Sequence, residues 1–134
     1  MPEYEPCATN RPTDPADDMV RAYLDAAEWT IGDDNVKLLA LADAPHWTPE
    51  AIDHAERTVA HFRAWAKGIS SDVWEEDPTR AGCDLWLTRN GYGAGFWDGY
   101  WPEDEGRRAT DYCKRLGEVC VVFYSETNGL DIIG

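Results

Sequence analysis

The residues best suited to chemistry lie in one short stretch, Cys83 to Trp101, which runs CDLWLTRNGYGAGFWDGYW. Its tryptophan rings could stack on a base, a sugar or a guanidinium, and Arg89 could hold an anionic group by a bidentate contact. A site of this kind would make the chain a ligand-binding or enzymatic domain. The predicted polar site comprises Asp84, Trp86, Arg89, Tyr92, Trp97 and Asp98.

A purely structural interpretation of the same stretch is also open. Arg89 would then pair with Asp84 or Asp98, and the aromatic side chains would pack in the core. No serine or cysteine lies in a recognisable nucleophile setting with a histidine and an acid. The glycines of GYGAG also lack the spacing of a phosphate-binding loop. We therefore expect no catalytic residues and no cofactor, which favours a protein that is not an enzyme.

Two histidines on one predicted helix invite a metal interpretation. His54 and His61 are two turns apart, about 10 Å, whereas zinc-binding helices place their ligands at i and i+4. That spacing is too long for direct ligation of one ion, and we expect no metal site.

The N-terminal half is predicted to be helical. At both Asp14 and Thr48 a proline follows a capping side chain, and apolar residues then recur at helical spacing. The predicted segments are an extended arm over 1–13, a helix over 15–29, a short helix or turn over 33–47, a helix over 49–67 and a single turn ended by Pro78.

The C-terminal half is predicted to contain two hairpins. Apolar residues alternate with polar ones over 83–88, and Asn90-Gly91 suits a tight turn, which predicts strands near 83–89 and 94–98. A charge gradient predicts a helix over 103–116, and an apolar run before Asn128-Gly129 predicts a second hairpin. The expected fold is α+β in one domain over 1–134. Its helical half, 14–69, would pack on a small, largely antiparallel sheet from the ββαββ half, 83–134.

Charge excludes several partners. The net charge is −14, whereas nucleic acids and anionic membranes are bound through lysine and arginine, so we expect no direct contact with either. A partner protein with a basic surface is the natural complement. The chain shows no secretion signal and no long apolar run, and its four cysteines form no CxxC pair, which favours the cytoplasm.

The excess acid lies in two blocks. Residues 1–34 contain nine acidic and two basic side chains, as do residues 68–105, whereas the segments 35–67 and 106–134 are balanced. If folding brings the blocks together, they form one negative face. The predicted contact acids are Glu75, Glu76, Asp77, Glu103, Asp104 and Glu105, with Trp74 and Trp101 as aromatic anchors among them.

The segment from Asp84 to Asp98, DLWLTRNGYGAGFWD, resembles a signature of small uncharacterised proteins carried by bacteriophages, prophages and mobile elements. In those proteins the signature runs roughly HDFWLTRNGHGAGFWD, after an acidic helical half and before a helix and a short hairpin. Cys83 and Tyr92 stand where that signature has histidines. No catalytic role that needs those imidazoles therefore carries over.

Together, the resemblance and the charge predict an accessory protein of a mobile element that acts by binding another protein. The expected target is a host defence system that binds nucleic acid, inhibited in the manner of anti-restriction or anti-CRISPR proteins by mimicry of nucleic acid. The alternatives are the ligand-binding or enzymatic domain described above and a structural accessory of a virion.

Overall fold

The computed structural model describes residues 15–31, 45–124 and 126–134. Its elements in chain order are α1 (Asp18–Trp29), β1 (His46–Trp47), α2 (Pro49–Gly68), a 3₁₀ helix (Val73–Glu76), α3 (Pro78–Arg89), α4 (Glu103–Leu116), β2 (Cys120–Tyr124) and β3 (Gly129–Ile133). Helices together with a small mixed sheet confirm the predicted α+β class. The predicted arm over 1–13 lies outside the described residues, as does 33–44 of the predicted short helix or turn.

Side-chain caps begin the first two helices. The carboxylate of Asp17 accepts hydrogen bonds from the amides of Met19 and Val20, so α1 begins three residues later than predicted. The hydroxyl of Thr48 accepts from the amide of Ala51 and Pro49 follows, so α2 begins where its sequence predicts.

The first predicted hairpin is wrong, because residues 78–89 form helix α3. Asp77 caps this helix and Pro78 is its first residue, so the proline begins an element instead of ending one. Every side chain from Ala81 to Thr88 is buried, including the polar ones. The alternation of polar and apolar residues therefore did not mark a buried and an exposed face.

The Asn90-Gly91 pair ends α3 and does not turn a hairpin. Gly91 has φ +72° and donates to the carbonyl of Thr88, and Tyr92 donates to the carbonyl of Leu87. These two bonds define a Schellman motif, which needs a left-handed residue just as a tight hairpin turn does. Residues 94–98, the second predicted strand, belong to the loop between α3 and α4.

The described sheet has three strands in the order β1-β3-β2. The antiparallel pair β2 and β3 confirms the predicted C-terminal hairpin, with Asn128 at φ 57° in its turn. The unpredicted β1 pairs in parallel with β3 through Trp47 and Leu130. Helix α4 matches its predicted bounds and ends at Gly117, whose φ is +80°.

An aromatic cluster lies between the helices and the loop after α3. The ring of Phe62 stacks on Phe96 at 5.6 Å between centroids, and Trp74 meets both rings edge-on at 5.5 and 5.1 Å. Such pairs favour the arrangement beyond their buried area. None of the helices in the described ranges is long and apolar enough to span a bilayer.

Helices α1 and α3 approach closely at Gly82, where an added Cβ would overlap the carbonyl oxygen of Met19. We expect Gly82→Ala to lower the free energy of unfolding by about 1–3 kcal/mol or more, because α1 would have to move. The matched control is Gly68→Ala at the end of α2, where nothing lies within 4 Å and alanine should be neutral or stabilising. Urea unfolding measures both, and unchanged stability of Gly82→Ala would contradict this contact.

Candidate functional site

One arginine joins an acid of the first acidic block to an acid of the second. Arg63 of α2 donates from Nη1 to Asp17 Oδ2 at 2.8 Å and from Nε to Glu75 Oε1 at 2.6 Å. Asp17 belongs to the first block and Glu75 to the second. Partial burial opposes ionisation of Asp17, yet hydrogen bonds from Arg63 and from the Val20 amide hold its pKa below the ordinary value. Asp17 of the first block and Glu75 of the second therefore lie beside each other on the surface, on either side of Arg63.

A tryptophan pair joins the two acidic runs of the second block. The ring centroids of Trp74 and Trp101 lie 4.9 Å apart. Trp74 directly precedes the run 75–77, and Trp101 stands two residues before the run 103–105. We call the acids of these two runs, together with Asp17, the acidic surface.

Neither tryptophan is available as an anchor for a partner. Trp74 is 1% exposed and Trp101 7% exposed, because both pack against the ring of Phe96. They were predicted as contact residues, and the structure makes them core residues. Their role is to hold the acidic runs in place.

Three of the predicted contact acids are engaged within the protein. Asp104 pairs with the two arginines of the following helical turn, at 2.6 and 3.3 Å. Asp77 caps α3 and accepts a hydrogen bond from the hydroxyl of Tyr100. Glu75 is held by the arginine that also binds Asp17. These acids stabilise local structure as well as contributing charge.

The other three, Glu76, Glu103 and Glu105, form no ion pair with any residue of the described ranges. Glu76 and Glu103 are exposed, and Glu105 is half-buried. Carboxylates without a local cation are those that a basic partner would stabilise most. They are the strongest candidates for contact among the six.

The polar site predicted around Arg89 is organised by a different arginine. Arg80 donates from Nε to Asp84 Oδ2 at 3.1 Å and from Nη2 to Asp98 Oδ2 at 3.0 Å. Trp101 Nε1 donates to the same Asp84 oxygen at 2.7 Å. Burial raises the pKa of Asp84 to about 6, although the Trp101 and Arg80 contacts favour its ionised form.

Arg89 points away from both of these acids. Its Nε donates to the carbonyl of Gly117 at 2.7 Å, and its Nη1 donates to the hydroxyl of Tyr23 at 3.2 Å. The predicted pairing of Arg89 with Asp84 or Asp98 is therefore wrong. Arg89 instead ties the ends of α3 and α4 to α1.

The remaining members of the predicted polar site do not line one cavity with Arg89. Trp86 is buried and donates to Thr30 Oγ1 at 2.8 Å, and the hydroxyl of Tyr92 donates to the Thr30 carbonyl at 3.2 Å. Trp97 alone among the predicted stacking walls is exposed. Three of the six residues lie on α3 and three in the loop that follows it, and they do not share one set of contacts.

Sequence reasoning missed a partly buried pair beside Arg89. The hydroxyl of Tyr23 lies 3.0 Å from Nε2 of His54. Burial raises the pKa of Tyr23 to about 12. Burial and the nearby cations Arg89 and Arg57 lower the pKa of His54 to about 4. At neutral pH the tyrosine is protonated and the histidine uncharged, so neither is tuned for proton transfer.

The histidines have separate partners. His54 contacts Tyr23, and His61 Nδ1 lies 2.5 Å from the hydroxyl of Tyr112. Within 15–31, 45–124 and 126–134, no three histidine, cysteine, aspartate or glutamate side chains are grouped as metal ligands.

The contact of Arg80 with Asp84 could have been predicted from the sequence, whereas the contacts of Arg63 could not. Arg80 and Asp84 are four residues apart, a spacing that brings side chains together on a helix but not on the strand predicted there. No spacing in the sequence predicts the bridge of Arg63 to Asp17 and Glu75, because these residues come from three separate elements.

Asp84 and His54 predict opposite effects of pH on stability. The pKa of Asp84 rises on folding from 3.8 to about 6, so the protonated carboxyl stabilises the fold. This contribution to the free energy of unfolding is fully present below pH 3.8 and is lost as the pH rises through about 6. The pKa of His54 falls from 6.5 to about 4, so its contribution is present above pH 6.5 and is lost as the pH falls towards 4. Between pH 4 and 6 the two slopes offset each other.

We therefore expect two variants to change stability in opposite directions with pH. Asp84→Asn should make the unfolding free energy rise more with pH between 4 and 6, by about 3 kcal/mol at most, because the opposing carboxyl is gone. His54→Gln should make it fall with pH over the same range. Urea unfolding at several pH values measures this, and parallel curves for both variants and the parent would contradict it.

Comparison of the chain with protein-family models, with curated proteins and with solved structures found no match in any of the three.

Proposed function

We propose that this chain is a small acidic accessory protein of phage type that binds and inhibits a host defence protein acting on nucleic acid. The acidic surface would occupy the basic groove that normally holds phosphates, as in anti-restriction or anti-CRISPR inhibition by mimicry. One observation carries the proposal: Arg63 joins Asp17 of the first acidic block to Glu75 of the second. Acids that are far apart in sequence thus lie on one surface.

Charge supports a basic partner of this kind. The net charge is −14, and the acidic surface includes three carboxylates without a cation among the described residues. A field of this sign attracts arginine and lysine clusters and repels nucleic acid. Association with such a cluster would be fast and would weaken with salt, because screening acts over about 8–10 Å.

Rigidity supports mimicry as the mode of binding. Phosphate mimics must hold their charges at set positions, since ordering them on binding costs free energy. The run 75–77 follows the buried Trp74, and the run 103–105 forms the first turn of α4. Both runs therefore begin from packed elements.

The competing ligand-binding or enzymatic function has no such support. Arg80 closes the site between Asp84 and Asp98, and Arg89 is bound to Gly117 and Tyr23. An open pocket with an unengaged Arg89 would have favoured that function.

The biological test uses bacteria that each carry one defined restriction or CRISPR system. Expression of the chain should raise the plating efficiency of a phage that the system targets, whereas a strain without the system should show no change. Protection in none of the strains would contradict the proposal.

The matched biochemical test reverses charges on and off the acidic surface. We expect Glu76→Lys with Glu103→Lys to weaken binding to the inhibited effector by about tenfold or more, because like charges then face its groove. The control, Glu118→Lys with Glu126→Lys, changes the net charge equally at exposed positions. Glu126 lies in the β2–β3 turn near the start of α2, roughly 20 Å along that helix from Arg63.

Binding of the purified effector at low and high salt gives the measurement. Equal losses in the two double variants would mean that net charge alone acts, and would remove the acidic surface from the proposal.

A further inference from the structure

Two aromatic side chains stand exposed on the loop between α3 and α4. Trp97 is 53% exposed and Tyr100 49% exposed, whereas Phe96 and Trp101, their neighbours in sequence, are buried. The loop therefore places one aromatic in the core at each end and presents two to the outside. An exposed pair of large rings is uncommon away from binding surfaces, where tryptophan and tyrosine are enriched.

The conformation of this loop is held by specific contacts. The amide of Phe96 donates to Thr88 Oγ1 at 2.9 Å, and Gly95 lies so close to that hydroxyl that a Cβ would overlap it. Asp98 accepts from the amide of Tyr100 at 3.2 Å and from Arg80 at 3.0 Å. The exposed rings are thus presented by a preorganised loop, which lowers the entropy cost of binding.

The ring of Tyr100 already forms a cation–π contact with an arginine of the same chain. The Arg80 guanidinium carbon lies 4.3 Å from the Tyr100 ring centroid, and the tyrosine hydroxyl donates to Asp77. An arginine stacked on a ring with carboxylates around it is therefore part of this surface. Within the described ranges, no ring or cation stacks on the indole of Trp97.

The surroundings of Trp97 favour an arginine as the ligand of its free face. Indole is the best ring for cation–π stacking, and Asp98 is the next residue in the chain. The unpaired Glu103 begins α4 just beyond Trp101. A nucleic-acid base could also stack on an indole, but its phosphates would be repelled by Glu103 and by the net charge of −14. Charge complementarity therefore selects an arginine side chain of a protein.

We propose that Trp97 is the aromatic anchor of the partner contact and stacks on an arginine from an arginine-rich segment of the partner. This inference rests on the proposed function, and it names the chemistry that the partner presents there. Trp97 takes the role that the sequence assigned to the buried Trp74 and Trp101.

The probes are two synthetic peptides, nona-arginine and nona-lysine, titrated into the full chain at near-physiological salt. The parent should bind nona-arginine about fivefold more tightly, since arginine stacks better on indole than lysine does. Trp97→Ala should remove this preference while both peptides still bind. Tyr124→Ala removes an aromatic that is exposed to a similar degree on β2, and it should keep the preference.

A spectroscopic readout locates the contact. In nitrogen–proton spectra the Trp97 indole N–H can be assigned by its absence in Trp97→Phe, whose ring replaces the indole with little loss of volume. On adding nona-arginine this signal should shift more than those of the buried Trp74 and Trp86. A larger shift at a buried indole than at Trp97 would overturn the proposal.

The outcomes separate this inference from the proposed function. Equal affinity of the parent for the two peptides overturns the anchor, as does a preference that survives in Trp97→Ala. If the preference depends on Trp97 but the chain protects no phage, the anchor stands and the inhibitor function falls. If Glu76→Lys with Glu103→Lys abolishes inhibition while Trp97→Ala leaves peptide preference intact, the function stands and the anchor falls.

Discussion

The carboxylate of Asp84 is buried in the middle of α3, and a buried charge must be hydrogen-bonded and paired. Trp101 Nε1 donates to this carboxylate and fixes α3 to the end of the loop before α4, while Arg80 pairs with it from the preceding turn of α3. Arg80 also forms an ion pair with Asp98, and this second contact holds the middle of the same loop. The exposure of Trp97 and the position of the second acidic run both depend on this contact.

The acidic surface is built at some cost to folding. Carboxylates that are brought together repel one another, and the protein offsets this with few cations. Arg63 forms ion pairs with two acids from two elements. The first turn of α4 places three further acids at the positive end of a helix dipole. Because these contacts neutralise only part of the charge, the surface keeps a net negative field.

The sequence predicted elements with local start and stop signals. Thr48 and Pro49 marked the start of α2, the charge gradient marked α4, and Asn128-Gly129 marked the C-terminal hairpin. It failed at α3, because that helix is buried on all sides and its polar residues Asp84 and Thr88 gave a false alternation. The six contact acids were predicted from charge and stay a prediction, whereas Trp74 and Trp101 were wrong as anchors, since a tryptophan beside acids can be buried or exposed.

By itself the sequence determined the fold class, the start of α2, both ends of α4, the net charge and its division into two blocks, because these follow from composition and from contacts over a few residues. Only the tertiary structure decided that α3 is a helix and that Arg80 and not Arg89 binds Asp84 and Asp98. It also decided that Asp17 and Glu75 meet at Arg63, and which tryptophan faces solvent. The physical reason is that burial and ion pairing between elements distant in the chain depend on packing, which leaves no periodic or local pattern in the residues themselves.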